Sequence, residues 1–261
     1  MHGALFVAKT GLSAQDTNLK VISNNLANVA TVGFKKDKAV FEDLMYQIRR
    51  QPGAQSAADS QLPSGLQLGS GVRTVGTQKL FHTGELQITD QAFDVAINGR
   101  GFLQVTMPNG DVGYTRNGQL HLNADNELVT AEGYLLEPAI ALPGEVINFS
   151  ISTDGVVEVV TAGDPTPTEV GQLQLADFVN PQGLVALGQN LFQESAASGA
   201  PIVSNPGENG TGILKQGVLE GSNVNAVEEL VDMITTQRAY EMNSKVISTA
   251  DEMLSFVAQQ L

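Results

Sequence analysis

Leucine returns at every seventh position near the start of this chain, at Leu5, Leu12, Leu19 and Leu26. A row at that spacing runs along one side of a helix and needs another apolar surface to cover it. The far end repeats the device, with Met233, Tyr240, Ile247, Leu254 and Leu261 also seven apart. Neighbouring rows (Ala8, Gln15, Ile22 and Val29; Thr236, Asn243, Ala250 and Val257) complete an a/d pattern at each end. Val7, Ala14 and Val21, and likewise Ala239, Val246 and Met253, widen both apolar arcs. A helix buried on more than one side needs more than one neighbour. The pattern predicts two long amphipathic helices, which either cover a core within the chain or meet surfaces outside it.

The helix ends carry their own signals. Gly33 lies where the first pattern stops and is placed to supply a left-handed C-terminal cap. In "EGSNVNAVEEL", Ser222, Asn223 or Asn225 is the expected N-cap of the second helix. Glu228 and Glu229 then fall in its first turns, where the helix dipole favours acids.

Charge separates the two ends. Residues 1–38 carry Lys9, Lys20, Lys35, Lys36 and Lys38 against Asp16 and Asp37. Residues 222–261 carry Glu228, Glu229, Asp232, Glu241, Asp251 and Glu252 against Arg238 and Lys245. Ends of opposite sign either meet or form two independent solvated faces. The net charge of -14 argues against nucleic acid, which needs a basic patch to release phosphate counterions.

Between the helices the pattern has a period of two. "FDVAI" alternates Phe93, Val95 and Ile97. Turn pairs follow at short intervals: Asn109-Gly110, Asn117-Gly118, Asp125-Asn126, Asp154-Gly155 and Asn209-Gly210. The runs they separate, among them "FLQV", "ELVT", "VINFSI" and "VVEVV", predict an antiparallel, all-β domain. "RRQPGAQSAADSQLPSGLQLGSGVRT", Arg49 to Thr74, fits neither pattern. Its Gln, Ser, Gly and Pro content predicts an extended or partly disordered loop, serving as a linker or a contact arm.

Catalytic chemistry finds no foothold. His2, His82 and His121 share no helical or hairpin spacing, so none is expected to ligate a metal. There is no nucleophile elbow, zinc-protease helix or phosphate loop, and "GRGF" at Gly99–Phe102 reads as a turn. "NFS" at Asn148 and "NGT" at Asn209 match the glycosylation pattern only by its shortness. The chain has no cysteine, which removes disulfides and thiolate metal sites. No run of about 18 apolar residues exists, so no spanning helix is expected. The first residues lack a basic region followed by a sustained apolar stretch, so no cleavable signal is expected. No enzyme activity and no cofactor are predicted.

"SNNLANVATVGFK" (Ser23–Lys35) sets Asn24, Asn25 and Asn28 near the end of the first helix. With Leu26 at position a, Asn25 falls at g, Asn24 at f and Asn28 at c. Such amides either mark a fraying helix end or bond neighbouring chains and set register, as a buried Asn does in coiled coils. The stretch resembles the N-terminal signature of the bacterial flagellar rod and hook (axial) proteins. "SNVN" and "QRAYEMNSKVIST" within Ser222–Leu254 resemble the family's C-terminal signature. "DVAINGRGFLQV" (Asp94–Val105) and "YTRNGQLHLNADNELVTAEGYLL" (Tyr114–Leu136) are similar to its shared β domain. Within the family, the length and the segment Ala39–Arg73 are most similar to distal-rod members; the opening "MHGALFVAKTGL" departs somewhat from the usual start.

The resemblance implies an α+β fold. Long N- and C-terminal helices pack together in a coiled-coil-like manner, with an all-β domain inserted between them. The expected division is 1–33 plus 222–261 for the helical part and 34–84 for a connector holding an extended loop at about 47–76. Residues 85–221 are then the β core. The implied function is that of a structural subunit of the distal rod, assembling into a rigid helical tube that carries motor torque to the hook. A proximal rod or hook-type subunit, or a periplasmic binding module, are the alternatives.

The implied assembly interface comprises Leu5, Leu12, Leu19, Ile22, Asn24, Asn25, Leu26, Asn28, Gly33 and Phe34. From the second half it adds Asn223, Asn225, Met233, Arg238, Tyr240, Asn243, Ile247 and Leu254. Gln51, Pro52, Gly53, Leu62, Pro63, Gly65 and Leu66 form the implied contact loop. Implied partners are further copies of the chain, neighbouring rod subunits, the hook protein, the peptidoglycan-level and outer-membrane ring proteins, and the flagellar type III export apparatus. Neither nucleic acid nor membrane insertion is implied. The implied location is the periplasm-spanning rod of the basal body, reached without a cleaved signal. Because a free subunit lacks the neighbours that cover these arcs, both ends are expected to be disordered or frayed in it and to fold on assembly.

Overall fold

The structure is a computed structural model that describes residues 2–53, 55–57, 60–61, 63–144, 146–162 and 164–259. The fold is α+β, with an N-terminal helix, a C-terminal helix and a β-rich region between them. Two compact units divide the chain. One, the helical unit, is built from Met1–Ala27, Asp37–Gln78 and Asn225–Leu261; the other, the β-rich unit, from Asn28–Lys36 and Lys79–Val224.

In the helical unit, α1 (His2–Ala27) lies against α2 (Ala226–Gln259). The Asn225 side chain caps α2, its Oδ1 accepting from the Val227 amide at 3.1 Å. This singles out Asn225 from the three candidates. Strand β1 (Asp37–Asp43) packs on α1 and pairs with β6 (Val72–Lys79). Between them β2 (Tyr46–Arg50) pairs antiparallel with β5 (Leu66–Gly69), and β3 (Gln55–Ala57) with β4 (Ser60–Gln61). The segment expected as a loop is therefore a hairpin arm over these residues. Tyr46, Ile48, Leu66 and Leu68 alternate with polar residues in its strands, a period-two signal that the surrounding Gln, Ser and Gly obscured. Pro52 and Gly53 form a turn beyond β2, with Gly53 at φ 78°.

The β-rich unit starts with β7 (Leu86–Ile88) and β8 (Val95–Asn98). These pair with the last two strands, β22 (Val218–Glu220) and β21 (Ile213–Gln216) respectively. The main sheet runs in the order β11 (Leu120–Leu122), β12 (Leu128–Thr130), β13 (Leu135–Glu137), β9 (Phe102–Thr106), β10 (Val112–Thr115), β19 (Leu191–Gln193), β18 (Val185–Gly188). β17 (Leu175–Asp177) also pairs with β9, and β20 (Ile202–Ser204) with β17. A three-stranded sheet of β14 (Val146–Ile151), β15 (Val156–Thr161) and β16 (Asp164–Gln172) completes the unit.

Alternation along β9 and β17 divides the core of this unit. Leu103 and Leu175, opposite one another, join a large aliphatic cluster with Phe149 and Val157. Phe102 and Ala176 turn to the other face, into an aromatic cluster with Tyr114, Phe178 and Phe192. The rings there meet edge-on, Tyr114 to Phe178 at 4.8 Å and 89°.

Two boundaries and one turn differ from expectation. Helix α1 stops at Ala27 and gives way to turns over 28–33. The expected connector is shared, since Asp37–Gln78 belongs with the helices while the residues on either side of it belong to the β-rich unit. Asn117-Gly118 is no hairpin turn: a Cβ at Gly118 would lie 1.6 Å from the Val95 carbonyl oxygen. The pair is needed for close approach of two backbones, not for a chain reversal.

Candidate assembly interface

The contact between α1 and α2 is not the leucine row. Asn25 Nδ2 donates to Glu229 Oε2 at 3.2 Å, and Asn18 Nδ2 donates to Thr236 Oγ1 at 3.1 Å. A Cβ on Gly11 would lie 3.1 Å from Asn243 Nδ2. These rungs step by seven up one helix and down the other, so the helices run antiparallel on a ladder of small and polar residues. Ala8, Ala14 and Ile22 are buried on α1, and Thr236 and Ala250 on α2. Leu5, Leu12, Leu19 and Leu26 are only half-buried, as are Met233, Asn243, Ile247 and Leu254. Tyr240 is exposed, and Ala239 takes the more buried place beside it. Leu261 lies outside the described residues.

Asn25 has a role that spacing did not reveal. It is 1% exposed, and its side chain bonds both backbone groups of Asp37 at 2.9 Å, accepting from the amide and donating to the carbonyl. Its amide is thus spent inside the subunit, tying the start of β1 and the first turns of α2 to the end of α1. The expectation that it reaches a neighbouring chain is corrected. A buried amide must be fully bonded where it lies, and every partner here comes from its own chain. Asn24 is exposed, and the half-buried Asn28 accepts from Thr31 Oγ1 at 3.1 Å.

Gly33 is left-handed, with φ 70°, yet it sits well past the helix and caps nothing. It closes a turn at Phe34, whose amide donates to the Thr31 carbonyl, and donates its own amide to the Glu220 carbonyl at 2.7 Å. A Cβ there would lie 2.8 Å from the Arg116 carbonyl carbon. Both geometry and space demand glycine. Phe34 is buried in the β-rich unit, and Asn223 accepts from the Lys36 amide at 2.7 Å and donates to the Leu80 carbonyl at 2.7 Å. Neither residue is a free surface group.

Sequence reasoning missed the charged centre beside them. Glu220 is buried and accepts from Lys35 Nζ at 2.6 Å, from the Gly84 amide at 2.9 Å and from Arg116 NH1 at 3.1 Å. Lys35 also donates to the His82 carbonyl, and Arg116 to the carbonyls of Ile97 and Gly99. Burial holds the Lys35 ammonium below its ordinary pKa; Glu220 opposes that shift and Arg116 adds to it. Burial likewise lowers Arg116. The signal was slight: a charge next to an apolar pair in "VGFK", and another in "GVLEG".

Two apolar surfaces are left uncovered within the helical unit. On α2, Val227, Val231, Ile234 and Phe256 lie opposite the polar ladder and Met242 and Met253 at its flank, with Val227 70% and Phe256 61% exposed. Arg238 lies exposed on the same side. On the arm, Tyr46, Ile48, Leu66 and Leu68 are all exposed. Gln51, Pro52, Gly53 and Pro63 are exposed around its turns, and Gly65 sits so close to Arg50 that a Cβ would lie 2.5 Å from the Arg50 carbonyl oxygen. Leu62 lies outside the described residues. A groove of about 890 Å3 opens between the start of α1, the base of the arm and Asn243 and Val246 of α2. Among the described residues no group of His, Asp and Glu is arranged to hold a metal.

Three family descriptions match the chain: "Flagella basal body rod protein" over 5–35, "Flagellar hook protein FlgE/F/G D1 domain" over 96–159, and "Flagellar basal body rod FlgEFG protein C-terminal" over 215–261. The flagellar basal-body rod protein FlgG of Buchnera aphidicola subsp. Schizaphis graminum is 56% identical over 99% of this chain and 100% of its own. That of Caulobacter vibrioides is 47% identical over 98% of each chain. The chain belongs to the flagellar basal-body rod protein family.

This family is structural, not enzymatic, and the matched boundaries agree with the geometry. The N-terminal rod match closes on Lys35, and the C-terminal match takes in Glu220 and Asn225. Each terminal match therefore supplies one helix to the helical unit and one half of the buried charge centre to the β-rich unit.

Proposed function

We propose that this chain is the subunit of the distal rod, polymerising into a stiff helical tube that carries torque from the motor to the hook. The observation that carries the reading is the uncovered apolar face of α2, opposite the side that α1 already occupies. Large exposed apolar surface on a helix marks a surface awaiting a partner. In this reading α1 and α2 form a coiled-coil-like inner layer, with Leu5, Leu12, Leu19, Leu26, Met233, Tyr240, Ile247 and Leu254 completing their burial against neighbouring copies. The arm adds contacts along the tube. Part of the helix order then comes from assembly, so amides of α1 exchange faster in the free subunit than in the rod.

The subunit passes through the type III export apparatus and meets neighbouring rod subunits below, the hook protein above, and the peptidoglycan-level and outer-membrane ring proteins around it. Deleting the gene and imaging isolated basal bodies tests the assignment. A short proximal stub without a hook is expected. A complete rod lacking only the hook would transfer the chain to the hook class, and normal flagella would remove it from the axial structure.

A further inference from the structure

We propose that a groove on the β-rich unit, lined by Tyr114, Asp111 and Glu194, receives the Arg50 side chain from the arm of a second copy of this chain. The proposal rests on the assembly reading above and names one contact within it. The groove holds about 440 Å3, and no basic residue lines it. Strand register builds one wall: Glu137, Gln104 and Tyr114 stand side by side across β13, β9 and β10. Tyr114 is 3% exposed and lines the groove beside Gln104 and Glu194. Glu137 and Glu194 have no ion pair among the described residues. Burial together with these two carboxylates pushes the Tyr114 phenol up to about 12.

The carboxylates of Asp111 and Glu194 make the lining rich in acceptors and negative in charge, suited to the planar fork of a guanidinium, which carries five donors and no acceptor. The chain supplies such a group. Between Leu44 and Gln78 it carries Arg49, Arg50 and Arg73 against Asp59, a basic island in a chain of net charge -14. Arg73 pairs with Glu42 on the neighbouring strand β1, and Arg49 lines the groove beside α1 and α2. Arg50 stands exposed on β2 without a carboxylate partner among the described residues. The cation on the arm matches the anions of the groove in sign and in hydrogen-bonding character.

The chain's lack of cysteine makes the contact directly testable. Arg50→Cys and Glu194→Cys, combined in the full chain, are assembled in the deletion strain, and isolated hook–basal bodies are treated with a short bismaleimide. That reagent spans what a disulfide, limited to about 7 Å between Cα atoms, cannot. Covalent multimers of the chain are expected from the double variant and from neither single one. Rods that contain the chain but yield only monomer overturn the contact and leave the assembly reading standing; wild-type chain absent from rods overturns that reading instead. If the double variant builds no rods, charge reversal decides. Arg50→Glu should abolish motility and Arg50→Glu with Glu194→Arg should restore it at least tenfold in swarm area; no restoration overturns the contact.

Discussion

The Lys35 ammonium lies 2.6 Å from a carboxylate oxygen of Glu220, and neither side chain is exposed to solvent. Residue 35 lies at the end of the first segment of the β-rich unit and residue 220 near the end of the second, so this pair fastens the two segments of that unit together. Arg116 completes the cluster at 3.1 Å from the other carboxylate oxygen. Two cations thus share one buried anion, and backbone carbonyls of His82, Ile97 and Gly99 take further donors, while Arg116 Nε has no partner among the described residues. Such a cluster contributes little net stability against an apolar core of similar shape, but it tolerates no missing member.

Glu220→Gln should therefore be the costliest single change in the cluster. It leaves two buried cations facing a neutral amide, for a loss on the order of 3–5 kcal/mol. Lys35→Met removes one cation, keeps the Glu220–Arg116 pair, and should cost distinctly less. Urea unfolding of each variant, followed by far-UV circular dichroism, ranks them. An equal or reversed ranking would mean that the carboxylate is not the hub.

The same lysine makes stability depend on alkaline pH. Its folded pKa is depressed by burial below the ordinary lysine value of 10.5. Between that lowered value and 10.5 the unfolded chain binds more protons than the folded one, so stability from this group rises with pH across the window. The rise should be present in wild type and missing in Lys35→Met. Urea midpoints from pH 7 to about 10 measure it, and parallel curves for the two proteins would refute the assignment.

Asn25→Ala should weaken the helical unit before any assembly occurs. It strips the Asp37 amide and carbonyl and the Glu229 carboxylate of one bond each, in a place water does not reach. The expected loss is about 1–3 kcal/mol. Asn25→Asp should be worse, because it sets a second carboxylate against Glu229. Hydrogen exchange of α1 and α2 in the free subunit reads both. Unchanged protection would return Asn25 to the surface role that its spacing suggested.

What could be read from the chain follows from which forces are periodic. The two helices, the strands from "FDVAI" to "VVEVV" and four of the five turn pairs are local patterns, and each is present where the spacing put it, although α1 ends at Ala27, short of Gly33. The pairing of Gly11 with Asn243, of Asn18 with Thr236 and of Asn25 with Glu229 is not local. Hydropathy favours the leucine row for that contact, whereas close helix approach selects the row with the smallest side chain and matching hydrogen-bonding groups. The Lys35–Glu220–Arg116 cluster was hidden for the same reason, since no short window contains more than one of its members. In the arm, Gly, Ser and Gln around Tyr46–Arg50 and Leu66–Gly69 diluted an alternation only a few residues long.

On α2, Ile234→Glu and Phe256→Glu should leave the subunit folded and block polymerisation. Both positions are exposed and lie opposite the ladder, so a charge there disturbs no contact of the free chain. In the tube each would bury an unpaired carboxylate. The expected result is an unchanged circular dichroism melt with no rods or hooks by electron microscopy. Motile cells carrying either variant would show that this face stays in water.

Tyr114 offers a spectroscopic view of the acidic groove. The chain has four tyrosines, and burial with Glu194 and Glu137 raises the phenol of this one to about 12. A raised pKa means that the folded chain holds this proton longer than the unfolded chain does. Its contribution to stability is therefore complete below pH 10 and is lost as pH climbs through about 12. Absorbance of tyrosinate near 295 nm, read within seconds of a pH jump to precede alkaline unfolding, should show a late step that Tyr114→Phe removes. Glu194→Gln should move that step to lower pH, since it deletes one of the two charges that oppose the phenolate. A Tyr114→Phe curve that loses amplitude only from the earlier part of the titration would show that the hydroxyl does not face those carboxylates, and would take away the electrostatic support for a cation-binding groove.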